Sequence, residues 1–389
     1  MSLGVFLFIV ALIVVIMIHE AGHLIVAKTF NFKATQYFLG FGPTLWSFRK
    51  GETEYGVKAI PAGGFVKIVG MNPYEEIPSE DLPRSYPNRP KYQRALLLVA
   101  GSATHWVVAY VLLVFAAMAI GYPTGQATTD VAAISENTPA AESGLQAGDK
   151  IVAVGGNEVS SWEEVRSYIR SHGGETATFT VAREGGTEDI TVRVGTALVT
   201  DSGEPVEIAQ PGEELPAPEP GQTETGFLGV SPKPEFQTEG LLSAFGTAGE
   251  HTWEATTLSF RGIGEVFTIV FNGELWSALT GDGERSATEG PVGLVGAGRV
   301  ASDIVSEGAY LDFIHMIVIF TIFIGMMNLL PLPPLDGGHL AVVGYEAITG
   351  RRVDIRKLIP VAAAVISFFV LLFLAVLYLD LARPIQTNF

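Results

Sequence analysis

Four long apolar runs divide the chain. Leu3 to Ile18 is almost wholly apolar, and residues 2–27 predict a first membrane-crossing helix. Residues 95–120, 311–330 and 359–379 predict three more. After the first run, Tyr37-Phe38-Leu39-Gly40-Phe41-Gly42-Pro43 reads as a glycine-punctuated turn. Thr53 to Ile60 then alternates polar and apolar, Pro61-Ala62-Gly63-Gly64 turns, and Phe65 to Val69 resumes the alternation, which predicts a hairpin. Non-helical backbone at membrane depth is tolerated only where it lines a cavity or is covered by protein. Residues 72–94, rich in Pro and charge, predict a surface loop.

Residues 124–232 show a different pattern, that of a soluble β-rich unit. Strands are expected at 131–134, 151–154, 176–183 and 189–194. A short helix is expected over 138–145. A second, Trp162 to Ser171, has Ser161 as its N-cap and Glu163 and Glu164 in its first turn. Residues 200–224 hold Pro, Gly and Glu with few apolar side chains and predict a loop or disordered insertion, with a last strand at 227–230. Residues 240–280 predict an amphipathic helix along the outer membrane surface, and 281–290 a polar loop. The domain division expected is 1–123, 124–232, 233–310 and 311–389.

Charge gives this layout an orientation. The net charge is −17, yet residues 121–310 hold 29 acidic and 9 basic side chains while residues 28–94 hold 10 Lys or Arg and 351–357 four more. Basic segments stay in the cytoplasm, so the acidic middle, the N-terminus and the C-terminus are expected outside. An acidic, lysine-poor exterior disfavours nucleic acid as a partner. The first run lacks a positive n-region, and cleaving it as a signal peptide would discard the chemistry it carries. With no cysteine in the chain, thiolate metal sites and thiol nucleophiles are excluded.

That chemistry is His19-Glu20-Ala21-Gly22-His23. Four-residue spacing puts both imidazoles on one helix face, where they reach one metal ion, and Glu20 can serve as general base on a water. Ionisable groups within a membrane helix default to a functional reading. Catalytic zinc takes three protein ligands, and without cysteine the third is His, Asp or Glu. Asp336 is the best candidate. It follows three prolines within four residues (331, 333 and 334) that break the third apolar helix at the cytoplasmic side. Asn328 is a candidate donor to substrate or oxyanion. The segment 53–69, with Gly63 and Gly64 at its turn, is a candidate edge for pairing with an unwound substrate strand. His105 in the second helix is open to two readings, metal ligand or inter-helix hydrogen-bonder.

The pair His19-Glu20-Ala21-Gly22-His23 and Asn328-Leu329-Leu330-Pro331-Leu332-Pro333-Pro334-Leu335-Asp336-Gly337-Gly338-His339 resembles the site-2 protease family of intramembrane zinc metalloproteases. Gly40-Phe41-Gly42 and Ala62-Gly63-Gly64-Phe65 look like that family's segments between helices one and two, and 138–154 looks like a PDZ core. The resemblance implies a polytopic α-helical membrane protein, about four transmembrane helices with an inserted extracytoplasmic β-rich PDZ-like domain. It implies Zn2+ held by His19, His23 and Asp336, with Glu20 as catalytic acid/base. It also implies regulated intramembrane proteolysis of single-pass membrane substrates, such as anti-sigma factors or membrane-bound regulators, with a PDZ domain that filters them. Many members carry Gly-Pro and a nearby Asn in the second helix. Here Ser102 follows Gly101, and His105 stands about where the Asn would be.

Two other function classes fit parts of the chain. A membrane-anchored PDZ scaffold with an inactive zinc site would have lost one of the four site residues, and all four are present. A metal transporter would show an internal repeat among its spans, and none is evident.

Overall fold

The computed structural model describes residues 2–183, 185–200, 205–208, 215–280 and 292–383. Helix α1, Leu3–Thr29, starts where the Ser2 hydroxyl accepts from the Val5 N–H at 3.4 Å and ends before Asn31, which has φ 57°. Strands β1 (Ala34–Lys50) and β2 (Thr53–Ile68) follow, joined at Gly51, with Lys50 opposite Thr53. Residues 44–50 of β1 pair with the first half of β2, while Gln36 to Leu39 lie between both halves, opposite 54–57 on one side and 64–67 on the other. Residues 64–68 therefore form an outer edge.

This departs from the hairpin expected around Pro61–Gly64, because 65–68 pairs with β1 and not with 53–60. The segment 37–43, expected as a turn, is strand. Gly40 and Gly42 have φ 85° and 82°, and a Cβ on Gly40 would lie 2.5 Å from the Ile60 carbonyl oxygen. Those glycines serve a bulged crossing of two backbones, not a chain reversal.

Helix α2 is Lys91–Ala119. The β-rich unit begins with β3 (Tyr122–Ile134), α3 (Pro139–Ser143), β4 (Lys150–Val154) and β5 (Asn157–Glu158). It continues with α4 (Trp162–Ser171), β6 (Thr176–Arg183), β7 (Gly186–Arg193) and β8 (Gly195–Thr200). Strands β9 (Pro205–Ile208), β10 (Gln222–Phe227) and β11 (Val230–Gln237) complete it. The main sheet has the order β11-β3-β4-β6-β7, with β5 paired to β4. Val131, Ile151, Phe179 and Val181 of the sheet bury their side chains with Val165 of α4. The Ser161 hydroxyl accepts from the Glu164 N–H, so the expected cap forms. Asp149 is held below the usual carboxylate range chiefly by its hydrogen bonds from the Arg183 guanidinium.

The expected insertion 200–224 lies partly outside the described residues, at 201–204 and 209–214. Its described part is more ordered than its composition predicts. β10 and β9 flank β8 in a second sheet, joined to it by antiparallel backbone pairing. The strand expected at 227–230 is instead the junction of β10 and β11, with Gly229 at φ 84° and Leu228 buried.

Helix α5 (Leu241–Phe271) and α6 (Glu274–Thr280) occupy the predicted 240–280 segment, divided at Gly273 with φ 81°. Helix α5 packs against other helices of the same compact unit. Ala248 and Ala255 bury into a cluster with Ala109 and Leu113 of α2. The loop expected at 281–290 lies outside the described residues. Helix α7 (Leu294–Ser306) was not anticipated. α8 (Tyr310–Asn328), α9 (Asp336–Thr349) and α10 (Ile359–Ala382) close the chain. Asp380 of α10 caps α7, accepting from the Gly293 and Gly296 N–H groups at 3.2 and 2.8 Å.

Four helical stretches among the described residues are long and apolar enough to cross a membrane: Leu3–Thr29, Lys91–Ala119, Tyr310–Asn328 and Ile355–Ala382. The chain divides into two compact units, residues 1–119 with 239–389 and residues 120–238. Within the first, Gly22 lets α1 approach α2, since a Cβ there would lie 2.6 Å from the Ala100 carbonyl oxygen. A buried ion pair, Arg94 Nη1 to Glu346 Oε2 at 2.8 Å, ties α2 to α9.

Candidate metal centre

His19 and His23 lie a turn apart on the buried face of α1. Asp336 reaches them because α8 stops at Asn328 and the proline loop turns the chain into α9, whose first residue is Asp336. Gly337 and Gly338 allow that turn to close. A Cβ on Gly337 would collide with the Leu329 carbonyl, and one on Gly338 would lie 2.5 Å from the Pro333 nitrogen.

Three atoms converge. His19 Nε2 and His23 Nε2 are 3.1 Å apart, and Asp336 Oδ2 stands 3.3 and 3.2 Å from them. Ligands about 2.0–2.1 Å from a tetrahedral ion stand about 3.3–3.4 Å apart, so this triangle matches one face of a zinc tetrahedron. His19, His23 and Asp336 line a cavity of about 330 Å³ together with Glu20, Phe65, Val66, His105, Asn328 and Pro334, among others. Two nitrogens and a carboxylate beside such a cavity are the donor set of a hydrolytic zinc site.

Two of the outer partners come from α2. His23 Nδ1 donates to the Leu97 carbonyl at 2.8 Å, which leaves the Nε2 lone pair facing Asp336. His19 Nδ1 is 3.0 Å from His105 Nε2. Between them Gly101 has no side chain to offer, and a Cβ there would collide with the His23 ring. Glu20 is held from the other side, its Oε2 accepting from the Val66 N–H at 2.9 Å. The Tyr37 hydroxyl donates to the Met17 carbonyl at 2.7 Å, which anchors β1 on the same helix.

The predicted residues fall as follows. His19, Glu20, His23, Asp336 and Asn328 share the cavity. Gly64 lies beside it, where a Cβ would be 3.3 Å from Glu20 Cγ. Gly63 packs near Phe41 instead, with φ 134°. Sequence reasoning missed Leu97, Gly101 and Val66. All three act through backbone or absence, which leaves no motif. The spacing 97, 101, 105 along one face of α2 is the signal that was available.

A His-His-carboxylate centre with an adjacent glutamate, set among membrane-length helices, defines a zinc-dependent hydrolase of the membrane. Residues 7–374 match peptidase family M50. The chain is 32% identical to the zinc metalloprotease Rip1 of Mycobacterium bovis BCG, an alignment covering 98% of each chain. It is 26% identical to the zinc metalloprotease RasP of Oceanobacillus iheyensis over 88% of this chain and 90% of that one. A solved PDZ domain of an SdrC-like protein from Listeria monocytogenes aligns with 21% of the chain at 27% identity and a TM-score of 0.18, covering 86% of that domain. The chain belongs to peptidase family M50, and it is a zinc metalloprotease of the regulated intramembrane type.

Proposed function

We propose that His19, His23 and Asp336 hold the zinc and that Glu20 is the acid/base. The substrates are single-pass transmembrane proteins, anti-sigma factors or membrane-bound regulators among them, cut within or next to their span in the lipid bilayer. The observation that carries the site assignment is the triangle of 3.1–3.3 Å between the three ligand atoms, with Glu20 in the same cavity.

Zinc, when bound, supplies Lewis-acid activation of a water and of the scissile carbonyl. Glu20 takes the proton of the attacking water and gives it to the leaving amine. The Val66 N–H holds the Glu20 carboxylate at the cavity edge while it does so. Asn328, at the C-terminal end of α8, donates to the substrate main chain or the developing oxyanion. The outer edge at 64–68 gives an unwound substrate a strand to pair with. Lys and Arg at 28–94 and 351–357 support an orientation with the zinc centre near the cytoplasmic face and the PDZ-like unit and both termini outside.

Glu20→Gln tests the chemistry, with cleavage of a single-pass substrate and zinc content measured on both proteins. The variant is expected to keep its zinc and lose about 10²–10⁴-fold in rate. A variant that cuts normally refutes the role of Glu20, and a wild type without zinc refutes the metal site. For the strand reading, the chain has no native cysteine, so Phe65→Cys can be crosslinked to substrates carrying single cysteines in turn. Alternate substrate positions should react. A helical every-third-or-fourth pattern would refute strand pairing.

A further inference from the structure

Zinc binding by His19 raises a question about its second nitrogen. Ligation through Nε2 requires the proton on Nδ1, and a buried Nδ1–H needs an acceptor. For His23 the acceptor is the Leu97 carbonyl. For His19 the group within reach is not a carbonyl or carboxylate but the His105 ring nitrogen, 3.0 Å away and 86 residues along the chain. If His105 donated instead, the His19 proton would sit on Nε2 and block the metal.

We propose that His105 is a positioning residue for zinc. Its Nε2 accepts from the His19 Nδ1–H and so sets the tautomer and ring orientation of that ligand. The proposal rests on the metal reading above. Three observations carry it. His105 is buried, with 1% of its surface exposed, so water does not compete for the bond. The His19 and His105 rings are tilted at 52° with centroids 5.1 Å apart, so the contact runs from ring edge to ring edge through the two nitrogens and is not a stack. Finally, α8 makes room for the ring, since a Cβ on Gly325 would lie 2.9 Å from His105 Cβ and 3.0 Å from its Cγ. His105 does not act as a fourth ligand. The two nitrogens of the His19 ring point outward along diverging lines, and a group bonded at Nδ1 stands on the side away from an ion at Nε2.

His105 is also held by a hydrogen bond with the backbone of Thr321 in α8.

The test uses the full chain in detergent, stripped of metal and titrated with zinc against a chromophoric chelator, with Co2+ as a spectroscopic probe. His105→Leu removes the acceptor. His105→Gln places an amide oxygen about where Nε2 lies. The Leu variant is expected to bind zinc 10–100-fold more weakly and to shift the visible Co2+ bands, while Gln recovers most of both. Metal-free melting, followed in parallel, separates a loosened fold from a loosened ligand. If the Leu chain melts early, His105→Met, which fills the space with only a weak acceptor, is read in its place. Wild-type zinc affinity and Co2+ bands in a well-folded Leu or Met chain overturn the proposal. So does loss of a nitrogen from the cobalt shell by X-ray absorption, which would make His105 a ligand. A wild type that binds no zinc overturns the metal reading beneath it, and that arm is distinct from the other two.

Discussion

Gly101→Ala adds one methyl group at the point where α2 faces both histidines of α1. That methyl would collide with His23 Nε2, lie 2.6 Å from His23 Cε1, and lie 2.8 Å from His19 Cε1. Ordinary carbon contacts begin near ~3.5 Å, so the His19 ring must retreat by about 0.7 Å and the His23 ring by at least about 0.9 Å. α2 is hindered from moving away from α1, because its His105 already sits against Gly325 of α8. The ligands must therefore yield. Metal sites tolerate only about 0.2 Å in ligand distance, so the shift is several times what zinc accepts. Zinc affinity should fall at least 10–100-fold, about 1.4–2.7 kcal/mol. The helix itself gains about 0.8–1.0 kcal/mol from replacing glycine by alanine, which offsets much of the packing cost in the metal-free protein. The expected signature is thus specific: metal-free melting near that of wild type, zinc lost at low chelator concentration, and cleavage lost with it. Chelator titration with parallel thermal melts reads both. A Gly101→Ala protein that holds zinc as tightly as wild type refutes the close approach of α2 to the two imidazoles.

Two further outcomes follow from charge placement. Glu52 receives both arms of Arg84 at 2.7 Å, which hold its carboxyl down to about 2 from an ordinary 4.5, with Lys28 and Lys33 adding to the effect. A folded-state value below the unfolded one means the stabilisation is complete above pH 4.5 and is lost as pH falls toward 2. Glu52→Gln should therefore be less stable than wild type at pH 7, by at most about 1 kcal/mol for a partly exposed pair, and the difference should close by about pH 2–3 in denaturation profiles. A difference that widens in acid would contradict the assignment. The proposed orientation is checked with single cysteines at Glu136 and Arg351, both exposed. A membrane-impermeant maleimide should label the first and not the second in intact cells, and the reverse pattern would invert the topology.

What could be read from the sequence divides along a physical line. His19, Glu20 and His23 were legible because helical periodicity alone places them together. Asp336 was legible because prolines announce a broken helix, and a carboxylate at a broken membrane helix needs a reason. The four spans and Ser161–Ser171 followed from local pattern in the same way. The register of 34–68 did not, because a glycine with positive φ reads the same in a turn as in a bulge. Gly40 and Gly42 belong to the second class only once Ile60 lies across them. α7 was missed because its cap, Asp380, comes from 84 residues further along the chain. The support of the proposed zinc ligands was least legible of all. A carbonyl at Leu97 has no side-chain signature, and Gly101 matters for the atom it lacks. His105 could be seen as out of place, but the role proposed for it depends on which nitrogen of His19 it meets. Ligands are chosen by side-chain chemistry, which a sequence states directly. The groups that aim them are chosen by distance, which only the packing of α1 against α2 supplies.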